Sequence, residues 1–330
     1  YNPKNEILIT VGVSEGLDLA LRTILSPGDE VLIPEPSYVS YAPCITLAGG
    51  KPVYLKTSVE NGFQVTAEMV EKAITPATKV LLLCYPNNPT GATISRERLL
   101  EIMEVVKAHD LIVISDEIYE KLTYVGEHTC VSSLPGMRDR TILLDRKSTR
   151  LNSSHYAMTG WRVGYAAGNP DFIAAMKKIH QYTMLCAPIT AQIAALEALK
   201  NGKNEMKKMI EQYRQRRRLV LHAFQEMGLP CFEPGGAFYA FPEIQMTGLS
   251  SEEFAEQLLK EAKVAVVPGN AFGGQGEGFI RCSYATSVND LTEAFKRMNQ
   301  FLKRRLGRGR VLKASFGKLE TIKEGKCQSL

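Results

Sequence analysis

Two hydrophobic periods alternate along the first half of the chain. Short, wholly apolar runs predict strands buried on both faces, and the stretches between them repeat apolar residues every three to four positions, as amphipathic helices do. Buried strands that alternate with helices predict an α/β fold, with a mainly parallel sheet covered by helices on both faces. The predicted strands are 31–33, 52–55, 80–83, 111–115 and 142–144, and the helices are predicted to begin at Ser14, Ser37, Thr66 and Ser95.

The second half has a different pattern. Helical periodicity covers about 170–225 with a break at Gly202, and Ser250 and Glu253 have the spacing of a capping box that opens another helix. Strands are predicted around these helices at 237–241, 264–267 and 279–284. This layering predicts a smaller α+β domain after the large one.

The chain of 330 residues, 45% of them hydrophobic, is long enough for two domains. We expect a large domain over 1–200, a small domain over 201–306 and a basic tail over 307–330. No apolar stretch reaches the 18 residues of a membrane span, so we expect no membrane partner. The seven cysteines and five histidines show no ligand spacing, which predicts a reduced, cytoplasmic protein without a metal site.

The net charge of +5 is unevenly distributed. The segment Lys303–Lys326 carries a net charge of +7, so the remainder of the chain carries −2. Nucleic-acid binding would depend on that tail alone, and its basic residues are not interleaved with aromatic ones beyond Phe316. We therefore expect no nucleic-acid partner.

Polar strings follow several of the predicted strands, where ligands of parallel sheets bind. Each string has a plainer interpretation: helix capping for the first, a turn for the second, a paired buried acid for the third and a surface ion pair for the fourth. The four strings are Thr10–Gly16, Tyr85–Gly91, Ser115–Tyr119 and Met158–Tyr165.

In that order and spacing, the strings Asn-Asn-Pro-Thr-Gly, Ser-Asp-Glu-Ile-Tyr and Met-Thr-Gly-Trp-Arg resemble the class I/II aminotransferases of the fold-type-I pyridoxal-phosphate superfamily. The resemblance covers about 1–302 except 145–155. It implies pyridoxal 5'-phosphate as cofactor, amino-acid and 2-oxo-acid substrates, and a homodimer. A β-lyase of the same fold and a non-catalytic cofactor-binding pseudoenzyme stay open as alternatives.

The resemblance also implies which residues hold the charged groups of cofactor and substrate. Arg162 would bind the cofactor phosphate, together with the amides around Val13, Ser14 and Glu15. Arg281 would bind the α-carboxylate of the substrate, in which Asn88 would also take part.

The pyridine ring of the cofactor has its own set of implied residues. Asp116 would face the ring nitrogen, Asn88 and Tyr119 would hydrogen-bond the 3-oxygen, and Tyr38 would stack on the ring. The string Gly236–Tyr239 resembles a family loop near the substrate side chain, which is a weaker assignment.

The Schiff-base lysine of the family is missing from its expected position. Counting eight residues back from Arg162 reaches Ser154, inside a foreign-looking string that we call the interrupting segment (residues 145–155). Lys147 could substitute for the lysine only from seven residues out of register. A pseudoenzyme is a second explanation. The third, which we favour, is foreign DNA, because a common sequencing-library adapter encodes all eleven residues in one frame.

Family members usually have a further stretch before the position of Tyr1. That stretch belongs to the small domain and supplies a residue to the partner's active site. We therefore expect this chain to be a fragment whose dimer assembly is in question. We also expect impaired transaminase activity in the chain as written.

Overall fold

The computed structural model describes residues 1–145 and 159–306, which divide into two compact units. The first unit comprises 1–88, 92–210 and 235–237, and the second comprises 89–91, 211–234 and the described residues from 238 onward.

The first unit contains a seven-stranded mixed sheet in the order β1-β7-β6-β5-β4-β2-β3. The five strands from β6 to β3 are parallel, whereas β7 runs antiparallel to both of its neighbours. The predicted, mainly parallel sheet is confirmed, although β7 was not predicted because it is short and built largely of glycine and alanine. The strands are β1 (Ile7–Thr10), β2 (Glu30–Glu35), β3 (Lys51–Lys56), β4 (Thr78–Leu83), β5 (Ile112–Asp116), β6 (Thr141–Asp145) and β7 (Gly164–Ala167).

Helices connect and cover these strands. Two predicted caps are confirmed: Thr66 Oγ1 accepts the Met69 amide proton (3.2 Å), and Ser95 Oγ accepts that of Arg98 (3.3 Å). The helices are α1 (Gly12–Ile24), α2 (Tyr41–Leu47), α3 (Ala67–Ala73), α4 (Arg96–Ala108), α5 (Pro170–Thr183), α6 (Ile189–Asn201) and α7 (Lys203–Met227), which contains the division at residue 210.

The predicted helix starts at Ser14 and Ser37 are wrong. Helix α1 begins two residues earlier, with Val11 as its N-cap, so Ser14 is an exposed residue of the first turn. Helix α2 begins only at Tyr41. In both cases a serine near an apolar stretch resembled a cap, while the backbone conformation, which decides the start, is not visible in the sequence.

The core of the first unit lies along the central strands of its sheet. All of Val80–Leu83 in β4 are at most 2% exposed, as expected for a parallel strand buried on both faces. This packing fixes the carboxyl ends of β4 and β5, from which polar residues emerge.

The second unit contains a three-stranded antiparallel sheet in the order β8-β10-β9, together with the part of α7 after residue 210 and the helices α8 and α9. The predicted capping box is confirmed, with reciprocal bonds between Ser250 and Glu253. The strands are shorter than predicted, and β9 begins where its predicted range ends. The elements are β8 (Tyr239–Ala240), α8 (Ser251–Ala262), β9 (Val267–Pro268), β10 (Ile280–Ser283) and α9 (Val288–Leu306). None of the helices within the described ranges is both long and apolar enough to cross a membrane.

Candidate active site

Three predicted site residues lie at the carboxyl ends of neighbouring parallel strands. Asp116 is the last residue of β5, and Tyr119 follows it in the next turn. Asn88 lies beyond the end of β4, which pairs with β5. All three are nearly inaccessible, with 4 to 6% of their surface exposed.

Asp116 is a carboxylate that is held by neutral donors. The Tyr41 hydroxyl donates to Oδ2 (2.7 Å), and the Ile118 amide donates to Oδ1 (3.2 Å). Burial raises the pKa of Asp116 to about 7, against the effect of these two bonds, and the carboxylates of Asp145 and Glu117 act in the same direction as burial. The carboxyl group of Asp116 is therefore partly protonated near neutral pH.

Tyr41 is a site residue that the sequence analysis missed. It is 1% exposed, and its ring packs edge-on against Tyr38 with centroids 5.5 Å apart. The buried thiol of Cys84 also lies beside its hydroxyl, and burial and the charge of Asp116 raise the pKa of that thiol well above its ordinary value. The only available signal was its position three residues after Tyr38, which does not by itself indicate a contact with Asp116.

Glu117, beside Asp116 in the chain, is held quite differently. Ser115 Oγ donates to Glu117 Oε1 (2.7 Å), and His128 Nε2 contacts Oε2. Burial alone would lower the pKa of His128, but the bond and the charge of Glu117 outweigh it and raise that pKa. Glu117 therefore has a partner that can carry positive charge, whereas Asp116 is bonded by a hydroxyl and an amide.

The N-terminus of α1 is the second part of the site. Val13 is buried in its first turn and Ser14 is exposed there, and the first amides of a helix have no partner within the helix. The Glu15 side chain bonds within the protein: its carboxylate accepts the Val11 amide proton (2.5 Å) and contacts His180 Nδ1 (2.6 Å). The Glu15 side chain thus satisfies the amide of the N-cap residue of α1.

Arg162 lies over this helix end. A Cβ atom added to Gly12 would be 3.1 Å from Arg162 Nη2 and 3.5 Å from Nη1, so the guanidinium occupies the space above the first residue of α1. A Cβ atom added to Gly164 would be only 2.8 Å from the carbonyl carbon of Gly12 and 3.0 Å from the Val13 nitrogen. The first residue of β7 therefore packs directly against the backbone at the start of α1.

Arg281 lies on β10 in the second unit. Its guanidinium stacks on the rings of Tyr239 (4.5 Å to the centroid) and Phe272 (4.9 Å), which fixes the side chain between two aromatic faces. Phe238, in the weaker predicted loop, stacks on Tyr213 with centroids 5.7 Å apart.

Two predicted positions lie outside the described residues. They are Lys147 and Ser154, the candidates for the lysine and its register. Within residues 1–145 and 159–306, no group of three or more His, Cys, Asp or Glu side chains is arranged to hold a metal ion.

The sequence and the fold are similar to those of known proteins. Residues 1–298 match the sequence model of "Aminotransferase class I and II". The chain is 53% identical over 302 residues to a putative aminotransferase, YugH, of Bacillus subtilis, covering 92% of this chain and 77% of that protein. Among solved structures, it resembles the aromatic aminotransferase from Pyrococcus horikoshii (45% identity, TM-score 0.87, 92% and 81% of the chains). It also resembles the aspartate aminotransferase from Thermus thermophilus with maleate (37%, 0.82, 90% and 76%).

This chain therefore belongs to the class I and II aminotransferases, which are pyridoxal-phosphate-dependent transaminases of fold type I.

Proposed function

We propose that the site transfers an α-amino group between an amino acid and a 2-oxo acid, with Asp116 as the residue that controls the cofactor ring. The observation that carries the proposal is the buried Asp116 carboxylate at the end of β5. In the same sheet, β7 packs against the start of α1, where the Arg162 guanidinium also lies.

The start of α1 fits the phosphate of pyridoxal phosphate. Amides without helical partners and the positive end of the helix dipole favour an anion there, and Gly12 has no side chain to fill the space. Arg162 would add a bidentate pair. Val13 and Ser14 would contribute amides, while Glu15 would contribute by holding the Val11 amide in place.

The carboxyl ends of β4 and β5 fit the ring of the cofactor. When bound, pyridoxal phosphate supplies a cationic ring that takes up the electron pair left at the substrate α-carbon. Asp116 would keep the ring nitrogen protonated, because the negative charge of an ionised carboxylate beside that nitrogen favours its cationic form. Asn88 and Tyr119 would donate to the 3-oxygen, and Tyr38 would cover one face of the ring.

We propose Arg281, on β10, as a residue that binds the substrate α-carboxylate. The aromatic faces of Tyr239 and Phe272 support this role because they hold the guanidinium in one orientation before substrate binds. Its relatives include aromatic-amino-acid and aspartate aminotransferases, so we propose both aromatic amino acids and aspartate as substrate classes.

The chain as written would transaminate slowly. The sequence has Ser154 at the register of the family's lysine, so that register lacks the residue that would move the proton at the substrate α-carbon, a type of step that contributes about 10²–10⁴-fold to rate. The same observation favours a second candidate function, a protein that binds the cofactor without transamination.

Cofactor titration and product analysis test these proposals together. Arg162→Ala should weaken binding of pyridoxal phosphate by about tenfold or more, as expected for loss of charge-assisted hydrogen bonds. The exposed Arg96→Ala, on α4, is the matched control. Equal affinity of the Arg162→Ala and Arg96→Ala variants for pyridoxal phosphate would overturn the phosphate assignment.

Product analysis tests the reaction type. Amino-acid-dependent formation of a new amino acid from a 2-oxo acid would support transfer, whereas release of pyruvate without an acceptor would support a β-lyase.

We further propose that the chain forms the homodimer of its family through α6, in a cytoplasmic protein. One face of α6 packs inward through Ala191 and Ala195 against Val163. The opposite face exposes large apolar side chains, a pattern that is rare over extended surfaces of monomeric proteins. These side chains are Ile189 (66% exposed), Ile193 (61%), Leu196 (51%) and Leu199 (37%).

Light scattering after size exclusion tests the dimer. Ile193→Lys should convert a dimer to a monomer at micromolar concentration, while Leu47→Lys, at another exposed leucine (71%), should not. A monomeric parent chain, or a dimer that tolerates Ile193→Lys, would contradict the proposal.

A further inference from the structure

The buried Tyr41 contacts two residues that we propose for the cofactor ring, Asp116 and Tyr38. The Tyr41 hydroxyl donates to Asp116 Oδ2 at 2.7 Å, and its ring packs against Tyr38 at 82° between planes, with centroids 5.5 Å apart. A third contact joins the same hydroxyl to Cys84. These contacts come from three separate segments: the start of α2, the end of β4 and the end of β5.

We propose that Tyr41 is a positioning residue for the cofactor ring, which orients the Asp116 carboxylate and supports the edge of Tyr38. The inference rests on the proposed function of Asp116 and Tyr38. It goes beyond that function because it assigns control of the proton on Asp116 to a second residue, which acts through its hydrogen bond to that carboxylate.

The direction of the hydrogen bond gives the physical reason. A tyrosine hydroxyl has one proton, and here it points to a carboxylate oxygen, which stabilises the ionised form of Asp116. Burial acts in the opposite sense and favours the protonated carboxyl. Loss of the hydroxyl would therefore leave the proton more tightly held on Asp116 and less available for exchange with a ring nitrogen.

The other groups that face Asp116 cannot replace this donor. Asp145 and Glu117 bring negative charge, which also favours the protonated carboxyl. Cys84 is a weak donor, and its Sγ contacts the Pro86 carbonyl oxygen at 3.6 Å. The Ile118 amide bonds the other oxygen, Oδ1. Tyr41 is thus a side-chain donor to Asp116 whose bond opposes the effect of burial on the pKa of that carboxyl.

Tyr41→Phe removes the hydroxyl, and with it the bond to Asp116 and the contact with Cys84, but it retains the ring against Tyr38. Tyr85→Phe is the matched control: Tyr85 is also buried, and its hydroxyl donates to the Phe63 carbonyl (3.0 Å) and accepts the Val65 amide proton (3.0 Å). Both variants lose one buried hydroxyl, but only the first loses a partner of Asp116.

The first measurement needs no cofactor. In the cofactor-free chain, carboxyl NMR should show the Asp116 titration moved upward by about one pH unit in Tyr41→Phe, a tenfold change in its ionisation constant, and unmoved in Tyr85→Phe. An unchanged Asp116 titration in Tyr41→Phe would overturn the inference, whatever the chain does with pyridoxal phosphate.

The second measurement uses pyridoxal phosphate. The pH profile of its dissociation constant should move in Tyr41→Phe in the same direction as the Asp116 titration. In an Asp116→Asn background the Tyr41→Phe substitution should leave the profile unchanged, because the titrating group is gone. A persistent difference there would show a packing effect and refute positioning through Asp116. The comparison in the Asp116→Asn background distinguishes positioning from packing even if Tyr41→Phe lowers the stability of the chain. A parent chain that does not bind the cofactor would count against the proposed function alone.

Discussion

Asp116 makes the cofactor-free protein less stable as the pH rises, and Asp116→Asn should remove this effect. The pKa of Asp116 is about 7 in the folded protein against 3.8 for an ordinary aspartate, so between these pH values the folded chain holds a proton that the unfolded chain has released. Stability attributable to this group is therefore greatest below about pH 4 and falls as the pH rises to about 7.

The magnitude follows from the pKa difference. A difference of about three pH units corresponds to about 4 kcal/mol lost by pH 8, and about 2–3 kcal/mol of it is lost between about pH 5 and pH 8. Asparagine carries no charge at either pH, but its amide cannot accept both the Tyr41 and the Ile118 protons, which costs about 1 kcal/mol. We expect Asp116→Asn to exceed the parent by about 3 kcal/mol at pH 8.

Urea denaturation of the cofactor-free chain at about pH 5 and pH 8 measures this difference in the transition of the first unit. Asp139→Asn, at an exposed aspartate, is the control, and it should change stability by no more than about 0.5 kcal/mol at either pH. An advantage of Asp116→Asn that is equal at both pH values, or larger at pH 5, would refute the reasoning.

Three further predictions concern other parts of the chain. Gly164→Ala should lower the free energy of unfolding by about 1–3 kcal/mol, because its methyl group would collide with the backbone at the start of α1. At Gly160 an added Cβ would have no atom of the described residues within 4 Å, so Gly160→Ala should not lower it, and equal melting temperatures of the two variants would contradict the assignment. Ser95→Ala should cost about 1 kcal/mol in chemical denaturation as the loss of an N-cap, whereas Ser14→Ala should cost little, and the reverse order would be inconsistent with the observed helix starts. Replacing the interrupting segment by a family string with a lysine at its register should raise kcat/KM by about 10²-fold or more, and a parent chain that is already fast but loses its activity on Lys147→Ala would favour the alternative lysine.

Local chemistry in the sequence predicted much of the fold. The caps Thr66 and Ser95 and the capping box of α8 were predicted because their hydrogen bonds join residues three apart, so sequence spacing specifies them. The apolar runs of β4 and β5 predicted buried parallel strands. The start of α1 and the strand β7 were missed because backbone conformation and pairing partners settle them.

The sequence by itself determined the family, because the order and spacing of its polar strings after apolar runs are read directly from the chain. Only the tertiary structure decided which residues contact one another. Tyr41 and Asp116 are 75 positions apart, and their contact exists because α2 and the end of β5 meet in the first unit. The raised pKa of Asp116 has the same origin, since burial is a property of the packed sheet and of no single string of residues.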